Sequence, residues 1–147
     1  MKTRIFTLVM VAGLAVLPAC SKADAAKPVQ SPAANHQELG TKITHVNAVQ
    51  SSAWIKKDAD IIVLDIRTPK EFNSGHIDGA ININFYDADF ASQLSALDMS
   101  KDYVVHCRSG GRSGKSLATF KNLGFKHIVH MDGGMKAWNK ARLPIVK

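Results

Sequence analysis

Tyr103-Val104-Val105-His106-Cys107-Arg108-Ser109-Gly110-Gly111-Arg112-Ser113 reads as a short apolar strand, a glycine-rich turn and a helix beginning near Ser113. Cys107 falls at the junction of strand and loop. Gly110 and Gly111 allow a tight turn that sets successive backbone N–H groups around one point. The helix that follows aims its positive dipole end at the same place. Arg108 and Arg112 add formal positive charge. The loop is therefore expected to hold an anion against, or on, the sulfur of Cys107.

Outward from this stretch, strand-like and helix-like segments alternate. Upstream, Ile61-Ile62-Val63-Leu64-Asp65-Ile66 is a continuous run rich in β-branched residues, the pattern of a strand buried on both faces of a parallel sheet. Thr68-Pro69-Lys70-Glu71 carries a capping box with proline at the first helical position, and Asn73-Ser74-Gly75 stops that helix early. Ala80-Ile81-Asn82-Ile83 is the next expected strand, and Asp87 or Asp89 is expected to cap a helix carrying Phe90, Leu94 and Leu97. Downstream, Leu117, Phe120 and Leu123 line one face of a helix that ends at Gly124. His127-Ile128-Val129-His130-Met131 is the last strand, and Asp132-Gly133-Gly134 turns into a final helix carrying Trp138. Before all of these, Ile43-Thr44-His45-Val46 is a short edge strand. Asn47 caps a helix through about Lys57, whose apolar face is read as Val49, Ala53 and Trp54. The alternation predicts an α/β domain with a doubly wound parallel sheet and helices on both faces. Ligands of such sheets bind at the carboxyl ends of the strands, where Cys107 lies.

The chain of 147 residues divides into a signal (1–20), a tether (21–40) and one domain (41–147). Lys2 and Arg4 precede an apolar run from Ile5 to Leu17, too short for a transmembrane helix but suited to export. Leu17-Pro18-Ala19-Cys20-Ser21 resembles the lipobox of bacterial lipoproteins, which implies lipidation of Cys20 as the first mature residue, although Pro18 is not the usual small residue. Cleavage after Ala23-Asp24-Ala25 is the alternative. Both imply export. Ser21 resembles outer-membrane sorting if the host is Gram-negative, which places the protein in the periplasm as a membrane-anchored lipoprotein. Residues 21–40 have too few large apolar side chains to order themselves and read as a tether. With Cys20 lipidated or removed, Cys107 is the only thiol left, so no internal disulfide is available despite an exported setting. Basic residues number 19 against 12 acidic, a net charge of +7 that falls to about +5 without Lys2 and Arg4. That modest excess suits small anions and anionic membrane surfaces. The sequence has no basic–aromatic patch, and nucleic acid is not expected as a partner.

Four stretches together resemble the single-domain rhodanese (thiosulfate sulfurtransferase) family over Ile43 to Val146. These are Leu64-Asp65-Ile66-Arg67 with Glu71-Phe72, Gly75-His76-Ile77-Asp78-Gly79-Ala80-Ile81-Asn82, the Cys107–Ser113 loop, and Gly133-Gly134 with Trp138 and Leu143-Pro144. Two departures stand out. Asp78 occupies the usual proline position, and Arg142 replaces a common glycine before Leu143-Pro144.

The resemblance implies ping-pong sulfur transfer. Cys107 takes sulfane sulfur from thiosulfate or a similar small anionic donor as a persulfide, then yields it to a thiol or cyanide-like acceptor. Cys107 is the nucleophile and must be a thiolate, below the ordinary cysteine pKa of about 8.5. Arg108 is expected to contact the donor anion, and Ser109, Gly110, Gly111 and Arg112 to supply the amide cradle. Asp65, Arg67 and Glu71 are expected to support the loop, with Glu71 pairing to Arg112. That pairing leaves open whether Arg112 touches substrate or only braces. His76 and His106 read as structural, and Trp54 and Trp138 as packing residues. His127 and His130, three apart in a strand, fall on opposite faces, so no metal site is expected. No cofactor is required, and the sequence names no protein partner.

Two rivals remain. A cysteine phosphatase or arsenate reductase places five residues between its Cys and Arg, whereas four separate Cys107 from Arg112. A binding module of the same fold usually lacks the cysteine that is kept here.

Overall fold

The computed structural model describes residues 40–147; the expected signal segment, Cys20 and the tether lie outside them. In chain order the elements are β1 (Lys42–Val46), α1 (Ala48–Lys57), β2 (Ile62–Asp65), α2 (Pro69–Asn73), β3 (Ile81–Asn82), α3 (Phe90–Ser95), β4 (Asp102–His106), α4 (Gly111–Leu123), β5 (His127–Met131) and α5 (Gly134–Lys140). The strands form one parallel sheet in the order β1-β5-β4-β2-β3. The β2–β4–β5 runs are central because their apolar residues find cover on both faces.

Alternation along those strands separates two cores. Leu64, Tyr103, Val105, Cys107 and Ile128 pack on one face with Phe90 and Leu94 of α3 and Phe120 of α4. Val63, Val104 and Val129 pack on the other with Ala48 of α1 and with Met135 and Trp138 of α5. The sheet is doubly wound, and Cys107 belongs to the α3/α4 side.

Several local expectations are corrected. The buried face of α1 is Ala48, Ser51 and Ser52, with Ile55 half-buried; of the expected face Trp54 does pack half-buried against the core, while Val49 is 60 % exposed and Ala53 is exposed. Positions 48, 51, 52 and 55 have helical i, i+3, i+4, i+7 spacing, one residue out of phase with the expected face. The two serines disguised it: small side chains let the helix approach the sheet closely, although they do not read as core. Asn47 does cap α1, within a capping box closed by Gln50. Helix α4 begins at Gly111, two residues before Ser113, because Gly110 adopts a left-handed φ of 92° and starts the helix there. Strand β3 is two residues long, although Ile83 N–H still bonds Asp65 O at 3.1 Å beyond it. Neither aspartate caps α3 with its side chain. Asp89 stands at the N-cap position, but its carboxylate accepts from Gln93 Nε2 at 2.8 Å, and Asp87 accepts from Asn84 Nδ2 at 2.6 Å. Leu97 packs on the core from just beyond α3.

Candidate active site

The loop after β4 folds around the sulfur of Cys107. Gly110 N–H donates to Cys107 Sγ at 3.2 Å, and the Ser113 hydroxyl reaches it at 3.6 Å. Burial pushes the thiol pKa up. The N–H and hydroxyl of Ser113 and the N–H groups of Ser109 and Gly110 outweigh it, leaving the thiol below its ordinary value. Cys107 is 1 % exposed, at the floor of the loop. These donors can hold a thiolate.

A second glycine turn holds the loop from behind. Met135 N–H donates to Cys107 O and Lys136 N–H to Arg108 O, both at 2.9 Å. The approach is so close that a Cβ on Gly134 would lie 2.2 Å from Cys107 O. Gly133-Gly134 is therefore the wall against which the active loop is cast. The sequence showed it only as a turn.

The arginines differ. Arg112 is bound to Glu71 through two bonds of 2.8 Å and lies 5.5 Å from the centre of the Tyr86 ring. The Arg112 hydrogen bonds hold the Glu71 carboxyl down to about 2, with help from Thr68 and against burial. Both terminal nitrogens of Arg112 are thus held by Glu71. Arg108 is exposed, and its guanidinium has no ion-pair partner among the described residues.

Asp65 and Arg67 are buried and paired, with Nε at 2.9 and 2.8 Å and one terminal nitrogen at 2.6 Å from the carboxylate oxygens. Their further bonds correct the expected loop support. Arg67 reaches Gly75 O at 2.9 Å, and Asn82 Nδ2 bridges Asp65 O and Arg67 O. The pair thus braces the segment from β2 to β3. Among the described residues it meets the strand that leads into the Cys107 loop at His106, whose Nε2 is 3.9 Å from Asp65 Oδ2. Burial lowers the pKa of His106 and keeps that ring neutral. His76 stacks on Phe72, bonds Phe72 O at 3.1 Å and pairs its backbone with Val146.

Two residues escaped sequence reasoning: Ser113, read only as a helix start, and His130, compared only with His127. His130 is the register partner of Val105 in the adjacent strand, on the same face as Cys107. Its Nε2 lies 2.9 Å from Ser113 Oγ. The alternation of β5 would have revealed it had the strand order been readable.

Known proteins match this arrangement. Over 69 % of its length the chain is 32 % identical to a sulfurtransferase of Allochromatium vinosum, covering 95 % of that protein. Over 70 % it is 31 % identical to a putative sulfurtransferase of Bacillus subtilis, covering 97 %. It spans only 23 % of a probable adenylyltransferase/sulfurtransferase of Mycobacterium tuberculosis, to which 62 % of the chain is 34 % identical. Among solved structures, a rhodanese-related protein from Thermoplasma volcanium superposes with a TM-score of 0.62 at 31 % identity, over 70 % of this chain and 97 % of that one. A Rhodopseudomonas palustris protein described as a possible tyrosine phosphatase gives a TM-score of 0.59 at 28 % identity, over 71 % and 85 %. Residues 49–141 match the rhodanese-like domain, and the chain belongs to that family.

Proposed function

We propose that this protein is a sulfurtransferase working through a Cys107 persulfide, with thiosulfate or a similar anion as donor. The observation that carries the reading is the set of uncharged donors converging on one buried sulfur. In the first half-reaction the thiolate attacks the outer sulfur of thiosulfate. A bond forms from Sγ to that sulfur, the donor's S–S bond breaks, and sulfite leaves with the electron pair. The exposed Arg108 guanidinium is placed to attract the donor's negative charge to the loop mouth. In the second half-reaction a thiophilic acceptor attacks the outer sulfur and the thiolate returns; cyanide leaves as thiocyanate. Backbone N–H groups that held the thiolate hold the outer sulfur in turn, so the cradle need not rearrange between steps.

The phosphatase reading is disfavoured by the same loop. Its arginine, which would clamp a phosphate, is engaged on both sides by Glu71, and four residues rather than five separate it from Cys107.

Mass spectrometry of the intact purified protein after thiosulfate, then cyanide, tests the reading. The expected outcome is a gain of one sulfur atom, absent in Cys107→Ala and lost to cyanide with thiocyanate released. No gain with thiosulfate or with polysulfide would leave a domain that only binds. Export as a lipoprotein is likewise a proposal, supported by Lys2 and Arg4 before the apolar run Ile5 to Leu17 and by Leu17-Pro18-Ala19-Cys20 after it. Cys20→Ser is expected to move the protein from the membrane to the soluble fraction, and unchanged membrane association would defeat the idea.

A further inference from the structure

The carboxyl ends of β1 and β5 bring a second polar cluster to the same edge of the sheet as Cys107. His45 and His130 are register partners in these neighbouring parallel strands, 85 residues apart in the chain. Their side chains therefore leave the same face. Asp132 follows β5 directly, its N–H bonded to Val46 O at 2.8 Å. Asp132 Oδ1 lies 3.1 Å from His45 Nδ1 and 2.9 Å from His130 Nδ1, and the two ring nitrogens are 3.3 Å apart.

No placement of protons on two neutral rings satisfies all three sides of this triangle. His130 Nε2 faces Ser113 Oγ at 2.9 Å and Gly110 O at 3.3 Å. A carbonyl only accepts, so in the tautomer that serves Gly110 O the ring proton is on Nε2 and Nδ1 presents a lone pair. That lone pair points at a carboxylate oxygen. In that tautomer a proton on His45 Nδ1 can serve one neighbour, and the contact between His130 and Asp132 has no proton; with the proton on His130 Nδ1 instead, His45 Nδ1 either sets a second N–H against it at 3.3 Å or faces the carboxylate with a lone pair. A single cation in the middle satisfies every side. Zinc bonds to nitrogen and oxygen of 2.0–2.2 Å, opened at the tetrahedral angle, set the ligand atoms about 3.3 Å apart. The triangle here, 2.9 to 3.3 Å, has those dimensions.

We propose that His45 Nδ1, His130 Nδ1 and Asp132 Oδ1 form a site for a divalent cation of the zinc type, with a fourth position left to water. The His130 side chain is 5 % exposed and its Nε2 faces Ser113 Oγ and Gly110 O, the second contact that metal-bound imidazoles generally make. The side chains of His45 and Asp132 are 55 % and 54 % exposed and give the ion a way in. A bound cation also fixes the tautomer in which His130 donates to Ser113, whose hydroxyl lies 3.6 Å from Cys107 Sγ. The site does not depend on the sulfur-transfer reading.

Zinc titration of the full-length protein carrying Cys20→Ser and Cys107→Ser, so that no thiol competes, tests the proposal by calorimetry and melting temperature. One equivalent is expected to bind and to raise the melting temperature. His45→Ala and Asp132→Asn, both at exposed side chains, are each expected to weaken binding more than tenfold and to remove the thermal shift. Melting without metal checks that each variant is folded. Absence of saturable uptake, or uptake indifferent to His45→Ala and Asp132→Asn, overturns it.

Discussion

Neutral donors, not a neighbouring imidazolium or guanidinium, hold the Cys107 sulfur. Gly110 N–H and the Ser113 hydroxyl reach it directly, and Arg112 is turned to Glu71. The thiol is consequently kept below its ordinary pKa by hydrogen bonds that win against burial. The Ser113 hydroxyl is the one donor that a side-chain substitution can remove. A hydrogen bond to a charged group contributes about 1.5 kcal/mol at the lower end of its range, roughly tenfold in an equilibrium. Ser113→Ala is therefore expected to raise the thiol's pKa and to slow alkylation of Cys107 by iodoacetamide by up to about tenfold at pH values below that pKa. The sign with pH is fixed: the variant needs higher pH to form the thiolate, so the deficit closes as pH rises and both thiols ionise. A constant deficit at all pH values would assign Ser113 a packing role instead.

Helix ends show how a local rule can be met by the wrong residue. After α4, Gly124 N–H bonds Lys121 O and Phe125 N–H bonds Phe120 O. After α5, Arg142 N–H bonds Asn139 O and Leu143 N–H bonds Trp138 O in the same pattern. Both are Schellman closures, which need a left-handed residue just past the helix. Gly124 takes φ 82° without a Cβ, whereas Arg142 takes φ 54° with one. The left-handed conformation costs a residue with a side chain about 1–2 kcal/mol, partly offset by the backbone entropy that glycine loses. Arg142→Gly is expected to stabilise the fold by about 1 kcal/mol, a rise of about 4 °C in melting temperature. A lower melting temperature would mean that the exposed Arg142 side chain stabilises by a contact outside the described residues. Other elements differ in how plainly the sequence shows them, for physical reasons. Thr68, Pro69 and Glu71 announced α2 because capping uses residues three apart. The α1 face was misread because Ser51 and Ser52, both buried, carry no hydrophobic signal. Gly133-Gly134 was legible as a turn, but its role as a wall behind Cys107 depends on contacts 27 residues away, between Gly134 and Cys107 O.

At the scale of the molecule, function gathers along the carboxyl edge of the sheet, and its order there is what the sequence leaves hidden. β1 lies beside β5, the last strand in the chain, so His45 meets His130 only in the folded sheet. Glu71 and Arg112 are 41 residues apart and tie the short helix α2 to α4 across the same edge. That tie makes the whole fold sensitive to acid. In the folded chain the Glu71 carboxyl is held at about 2 by Arg112, against an ordinary value of 4.5. A carboxyl depressed by folding stabilises the native state above its unfolded pKa and loses that contribution as pH falls toward its folded pKa. The window here is about 4.5 down to about 2. With the pair partly open to solvent, screening reduces the full linkage value to about 2 kcal/mol at neutral pH. Urea unfolding of Glu71→Gln is expected to show that loss at pH 7 and a flatter stability curve below pH 4.5, the two proteins converging near pH 2. A residual acid slope stays in the variant, because Asp98 is also held down by the hydroxyl and N–H of Ser100. If the Gln variant instead kept the wild-type slope through this window, the coupling of α2 to α4 would contribute no pH-dependent stability, and the bracing assigned to Arg112 would have to be geometric alone.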